Sequence, residues 1–407
     1  MTLRVLYIDH TAKLGGGEIF LLNLLLVLQD NITPVVVLFE DGPLKTELER
    51  RNIEVHIFKA SNALVTSRKE SLARVSPELI QRGISSVNTA LRLSQLIMKL
   101  NVDLVHTNNL KACLIGGVAA RLARKPLVWH VHDRISADYL PQSMVSLVRT
   151  MVKVMPTAVV ANSVSTLATL NLSTSKRNTV IYPGVKVGEP PVHRSWNQPV
   201  RIGIVGRISE WKGQHIFLEI ASRVLKVYPA TEWVIVGAAL FGEDSYSEQL
   251  KARAAEPDLK GHVIFRGFQS DVVTEMRSLD IVMHCSISPE PFGQVITEAM
   301  VLQKPVIATG AGGVLEIIED RQSGLLVEMG DIQDAVGAVK MLLANPLIAK
   351  VLGENGRHRV LEHFTIQQSA IATLELYSDL LPAKANELRC AQGSVECKLK
   401  RDKTAVK

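Results

Sequence analysis

Short apolar runs rich in β-branched residues alternate with longer helical stretches along almost the whole chain. They do so twice, on either side of a polar segment at 186–199 that carries Pro190, Pro191 and Pro199. Strands apolar on both faces belong in a parallel sheet covered by helices, and strand-then-helix alternation supplies that cover. Residues 4–10, 33–40, 54–58, 103–107, 126–131, 158–163 and 179–185 read as strands of the first half. Those of the second half are 201–206, 232–237, 262–268, 281–285, 305–309 and 325–328. The second half repeats the logic of the first without repeating its sequence. With 407 residues the chain has room for two domains of the usual ~100–200 residues each. The expected boundaries are 1–185 and 200–363, joined by a linker at 186–199. A last helix at 364–381 follows, then a polar tail at 383–407 without apolar periodicity, expected to be disordered.

Basic residues outnumber acidic ones by 46 to 40, which suits phosphate-bearing ligands or an anionic membrane surface. Nucleic acid is not the expected partner: aromatics are sparse, and no basic run is interleaved with them. Cys113, Cys285, Cys390 and Cys397 show neither metal-ligand spacing nor a disulfide framework, so a reducing compartment is expected. The N-terminus reads as a strand and lacks the layout of a signal peptide, and no apolar run approaches a membrane span. The helical stretch 141–155 carries only Arg149 and Lys153 as charges, which favours core packing over a membrane surface. Residues 67–74 are charged and read as a mobile segment over a ligand cleft.

The chemistry concentrates at 280–300, Asp-Ile-Val-Met-His-Cys-Ser-Ile-Ser-Pro-Glu-Pro-Phe-Gly-Gln-Val-Ile-Thr-Glu-Ala-Met. It is a buried strand, a loop stiffened by Pro289 and Pro291, and a helix that opens after Gly293. Open α/β sheets bind ligands just beyond the carboxyl ends of their strands, where Glu290 lies. The free amides around Phe292, Gly293, Gln294 and Val295 favour a phosphate. Glu298 adds a second carboxylate, and carboxylates accept hydrogen bonds from hydroxyls.

Other strand ends carry further candidates. Arg207 and Lys212 stand five residues apart at the first turn of the second half, where two cations suit a diphosphate as well as a solvated turn. Gly15, Gly16 and Gly17 precede an apolar helix at 18–28; they permit either a tight turn or close approach to a ligand. The run Trp129-His130-Val131-His132-Asp133-Arg134 puts His132 and Asp133 at a strand's carboxyl end and leaves His130 in the core. A metal is the weaker reading of these histidines, because the chain has no Asp-x-Asp and no further ligand at suitable spacing. The glycines of 310–313 open another helix, with amides expected to face the ligand.

Through Glu290, Pro291, Phe292, Gly293, Glu298 and Ala299 the chain resembles the retaining glycosyltransferases of family 4, whose GT-B architecture has two facing Rossmann-like domains with a cleft between them. The Gly206-Arg207 and Lys212-Gly213 pairs extend the resemblance, as does His132-Asp133. It covers most of 1–382, is strongest over 201–330, and is diffuse in the first, acceptor-side half. The resemblance implies that Glu290 contacts donor-sugar hydroxyls and that Phe292, Gly293, Gln294 and Val295 border sugar and phosphate. Glu298 would hold the ribose, Arg207 and Lys212 the diphosphate, His132 with Asp133 would lie near the transferred sugar, and Gly16 and Gly17 near phosphate and acceptor. It implies that the helix 364–381 returns to the first domain. The implied activity is hexosyl transfer, with retention, from a nucleoside-diphosphate sugar to a glycan or lipid-linked acceptor in polysaccharide or glycolipid assembly. No metal or other cofactor is expected, and the place of action is the cytoplasm, with peripheral contact at the inner membrane face left open. Epimerisation or phosphorolysis of a sugar nucleotide, and non-catalytic sugar-nucleotide binding, are the competing readings.

Overall fold

The computed structural model describes residues 2–59, 77–175, 177–189, 199–239, 242–269 and 271–405, without the side chains of 77–86 and 401–405. The expected mobile segment at 67–74 lies outside these residues. The chain divides into two compact units, one formed by Met1–Lys186 with Ile366–Ala405, the other by Val187–Thr365.

Unit 1 is built on strands β1 (Arg4–Asp9), β2 (Thr33–Leu38), β3 (Glu54–Ile57), β4 (Leu104–Thr107), β5 (Leu127–Val131), β6 (Ala158–Ala161) and β7 (Asn178–Val180). They form one parallel sheet in the order β3-β2-β1-β4-β5-β6-β7. Alternation along β1 shows how both faces are filled. Val5 and Tyr7 enter a core with Phe20, Leu24 and Leu28 of the helix Gly16–Leu28 and with Leu374 and Tyr377 of the helix Ile366–Leu380. Leu6 and Ile8 enter the opposite core with Cys113, Ala119 and Trp129. The order reverses between β1 and β4, and a crevice for ligands opens at such a switch point.

Unit 2 repeats the plan with β8 (Val200–Val205), β9 (Thr231–Val236), β10 (Val263–Gly267), β11 (Ile281–His284), β12 (Val306–Thr309) and β13 (Leu325–Val327). Its order, β10-β9-β8-β11-β12-β13, is again parallel throughout and switches between β8 and β11. Ile202, Ile204, Trp233, Ile281 and Ile307 pack beneath Phe217 and Leu218 of the helix Gln214–Leu225 and Val336 and Val339 of the helix Ile332–Ala344.

Three expectations are corrected. Where a disordered tail was expected at 383–407, Ala385–Ala405 is a helix, and Leu388, Ala391 and Val395 join the core of unit 1. Those positions follow i, i+3, i+7 spacing, a stripe narrow enough to be hidden among the polar residues around it. The strand expected at 179–185 ends at Val180, two residues before the Tyr182-Pro183 pair that biases the chain away from a continuing ladder. The helix expected from residue 18 begins at Gly16, so Gly16 and Gly17 form its first turn.

The helix Gln142–Val154 buries Val145, Val148 and Val152 in the core. Among the described residues no single helix is long and apolar enough to cross a membrane.

Candidate active site

In unit 2 the switch point is occupied by the loop that leaves β11. Glu290 sits there with 7% of its surface exposed, held first through its backbone. Its carbonyl accepts from the Gly313 amide at 2.9 Å. Gly312 lies directly against it with φ +68°, and a Cβ there would stand 2.2 Å from the Glu290 oxygen. The glycines of 310–313 therefore let two backbones touch. Of the amides expected to face a ligand, those of Gly310, Ala311 and Gly313 are instead bonded within the loop and to its neighbours. Phe292 is buried edge-on against Phe364, 5.9 Å between centroids. Gly293, with φ +107°, caps the helix Gln294–Val301, whose opening amides, including those of Gln294 and Val295, have no acceptor within the helix.

Three groups surround the Glu290 carboxylate. Lys212 Nζ donates to both oxygens at 2.9 Å. His284 Nε2 and Ser286 Oγ lie 3.1 and 3.0 Å from Oε2. His284 Nδ1 is 3.2 Å from Thr309 Oγ1 on β12. Burial alone pushes the Glu290 pKa up, but the Lys212 ammonium and then His284 outweigh it and hold the carboxyl well below its usual range. Glu290 is thus an anion in a nearly closed cage.

Lys212 reaches it from a short turn after β8. The Lys212 ammonium lies 4.2 Å from the Trp211 ring centroid, and the Trp211 carbonyl accepts from the Ile287 amide at 2.9 Å. Gly213, with φ +72°, brings the turn so close to Cys285 that a Cβ would stand 1.9 Å from its carbonyl oxygen. Arg207 stands in the same β8 loop, its carbonyl accepting from Gln214 Nε2 at 2.9 Å.

Glu298 lies apart from this cage, one helical turn along, where Gln294 Nε2 donates to it at 3.3 Å. Burial raises its pKa to about 7, with the Gln294 bond opposing. Glu290 and Glu298 therefore shift in opposite directions. Because Glu298 binds its proton more tightly folded than unfolded, its contribution to stability is complete below the ordinary carboxyl value near 4.5 and is lost as pH rises to about 7. Glu298→Gln is expected to flatten the fall in unfolding free energy between those pH values, as measured by denaturant titration; an unchanged slope would contradict the shift.

Unit 1 has its own cluster at the β1/β4 switch point. Asp9, ending β1, is fully buried and accepts from Asn108 Nδ2 at 2.8 Å, from the Thr11 amide at 3.1 Å and from Asn109 Nδ2. Asn108 Nδ2 also lies 3.3 Å from the Gly17 carbonyl, and its Oδ1 is 3.2 Å from His132 Nε2. A Cβ on Gly17 would approach the His132 ring to 3.8 Å. Glu18, next in the same turn, has its carboxyl pushed up to about 8, first by burial and then by the charge of Asp9. Asp133 accepts from Tyr139 Oη at 2.7 Å. Behind His132 runs a buried row: His130 stacks on it at 4.2 Å, His106 Nε2 is 3.2 Å from His130 Nδ1, and Tyr377 Oη is 2.6 Å from His106 Nδ1 and 2.9 Å from Tyr7 Oη.

The structure thus joins Lys212 to Glu290, Gln294 to Glu298 and Gly17 to His132. His284, Ser286, Thr309, Asp9, Glu18 and Asn108 escaped the sequence reading. A signal existed for two of them: His284 and Asp9 are polar residues that end otherwise apolar strands, where the chain turns toward a ligand crevice. No group of three or more His, Cys, Asp or Glu among the described residues could hold a metal ion.

Two doubly wound parallel domains with these features define a glycosyltransferase of the GT-B fold. Residues 14–189 match the family model described as Glycosyltransferase Family 4, and residues 189–359 the model described as Glycosyl transferases group 1. The chain belongs to this glycosyltransferase family. It is 24% identical over 342 residues to the capsular polysaccharide biosynthesis glycosyltransferase CapM of Staphylococcus aureus, covering 79% of this chain and 88% of that protein. It is 27% identical over 239 residues to the lipopolysaccharide core biosynthesis mannosyltransferase LpsB of Rhizobium meliloti, covering 55% and 66%. Among solved structures, HepE of Anabaena in complex with UDP-glucose superposes with a TM-score of 0.79 at 27% identity, covering 93% of this chain and all of that one.

Proposed function

We propose that the protein transfers a hexosyl group from a nucleoside-diphosphate sugar to a hydroxyl of a polysaccharide or lipid-linked glycan, retaining the anomeric configuration. The observation that carries the reading is the caged, ionised Glu290 beside Lys212 and a helix start, at the switch point of a parallel sheet. The donor diphosphate draws Lys212 and Arg207 and meets the amides of Gln294 and Val295. Donor-sugar hydroxyls donate to Glu290, and Glu298 takes the ribose.

The C1–oxygen bond to the phosphate breaks while the acceptor oxygen bonds to C1 on the same face, and the leaving phosphate oxygen takes the acceptor proton. Charge grows on that phosphate as the bond opens, so the cations stabilise the transition state more than the bound donor. Glu290 is no nucleophile in this scheme, since both its oxygens are engaged. On unit 1, His132 and Asp133 serve the transferred sugar, and Gly16 and Gly17 the phosphate and the acceptor. The names of CapM and LpsB support assembly of a surface glycan, and the ligand of HepE makes UDP-glucose the first donor to try. The reaction is placed in the cytoplasm, with peripheral membrane contact if the acceptor is a lipid.

Thermal shifts against UDP-, GDP- and ADP-sugars are expected to single out one base, since a ligand at a hundred times its Kd stabilises by about 2.7 kcal/mol. With that donor labelled in its sugar, the label is expected on an added acceptor with the anomer kept. Label recovered as sugar phosphate or as an epimerised sugar nucleotide would instead establish phosphorolysis or epimerisation, and donor binding without any product a non-catalytic protein.

A further inference from the structure

The hydrogen bonds around Asn108 determine more than its own position. Its Nδ2 faces the Gly17 carbonyl at 3.3 Å, which can only accept, and lies 2.8 Å from Asp9 Oδ2. With the amide nitrogen fixed on that side, Oδ1 is the atom 3.2 Å from His132 Nε2, and an amide oxygen has no proton to give. The proton in that bond therefore belongs to Nε2. Burial pushes the His132 pKa down to about 4, with Asp133 opposing, so at neutral pH the ring carries a single proton.

The other nitrogen is left as a lone pair. Nδ1 bonds to no described residue, and His132 is only partly buried. The ring that presents it is held in plane by His130, stacked at 4.2 Å and 25°, and edge-on by Phe20 at 5.9 Å.

We propose that Asp9 and Asn108 are positioning residues that lock His132 as its Nε2–H tautomer, so that Nδ1 is a fixed acceptor for a hydroxyl and is closed to a phosphate. A lone pair attracts an O–H and repels a phosphate oxygen. A histidine free to choose its tautomer, or to become charged, would serve both. The lock thus gives unit 1 a preference for the sugar or its hydroxyl acceptor over the diphosphate. That the hydroxyl belongs to a sugar or acceptor rests on the proposed transfer reaction; the tautomer itself does not.

The test is a long-range 1H–15N correlation on the full chain labelled with 15N-histidine at pH 7, without substrate, with the His132 signal identified by its loss in His132→Gln. The expected result is Nε2–H in the wild type and a shift toward the Nδ1–H form in both Asn108→Leu and the isosteric Asp9→Asn. Asn108→Leu is also expected to lower kcat by about tenfold while donor KM stays within about twofold, because the donor's charge is held elsewhere. A wild-type ring protonated on Nδ1, or a tautomer untouched by both variants, overturns the lock. An inactive protein that shows the Nε2–H ring overturns the transfer reading alone, and an active one that shows the Nδ1–H ring overturns the lock alone.

Discussion

Lys212→Ala is expected to slow sugar transfer by about a hundred- to a thousandfold, the usual cost of losing one group aimed at charge that develops in the transition state. The same variant is expected to melt at lower temperature. Glu290 would keep only His284 and Ser286 as partners, and a buried carboxylate deprived of its cation takes up a proton or destabilises the fold. The two effects separate in the double variant Lys212→Ala with Glu290→Gln. A neutral amide needs no cation, so stability should recover toward the wild type while transfer stays slow.

The pH dependence has a definite sign. Glu290 is held below its ordinary value near 4.5, so the ion pair contributes stability above that pH and loses it as acid titrates the carboxylate. Wild type and Lys212→Ala should therefore converge in stability under acid. Steady-state kinetics and melting curves of the three chains check this, and a Lys212→Ala enzyme within about threefold of wild-type kcat/KM would remove the phosphate grip.

The second large effect belongs to a residue with no side chain. Gly312→Ala is expected to cost about 2–5 kcal/mol of unfolding free energy, combining the left-handed backbone penalty with loss of the buried bond between Gly313 and Glu290. The new Cβ would meet the Glu290 carbonyl at 2.2 Å, and neither backbone can yield without moving the Glu290 loop. Activity should fall with it. Gly330 supplies the control: its φ is +84°, but nothing stands within 4 Å of its Cβ position, so Gly330→Ala should carry the conformational penalty alone, about 1–2 kcal/mol. Equilibrium denaturation of both variants measures the difference, and equal losses would show that the contact at Glu290 is of no consequence.

The two parallel sheets were legible because each strand advertises itself. Runs such as Val35-Val36-Val37 and Ile202-Gly203-Ile204 are apolar on both faces, and no other common architecture buries such segments on two sides. Glu290 was legible through its prolines and its strand. Its pairing with Lys212 was not, since 78 residues separate them and nothing local in either sequence encodes the other. The helix Ala385–Ala405 was hidden for a different reason. Composition registers the average polarity of a segment, whereas its docking depends on three small or medium side chains on one face. The glycines of 310–313 were read as offering amides to a ligand, but a sequence does not say whether glycine admits a ligand or another segment of the same chain.

Unit 1 is assembled from two stretches of chain that lie on either side of unit 2 in the sequence. On the ribosome, residues 366–405 emerge only after the whole of unit 2, so the first domain to begin is the last to be finished. Until then one face of its sheet lacks Leu374, Tyr377, Leu388 and Val395, and the phenol between Tyr7 and His106 is missing. A frameshift or premature stop near the end of the message would therefore spare unit 2 and cripple the unit translated first, whose apolar face stays open for the longest part of synthesis.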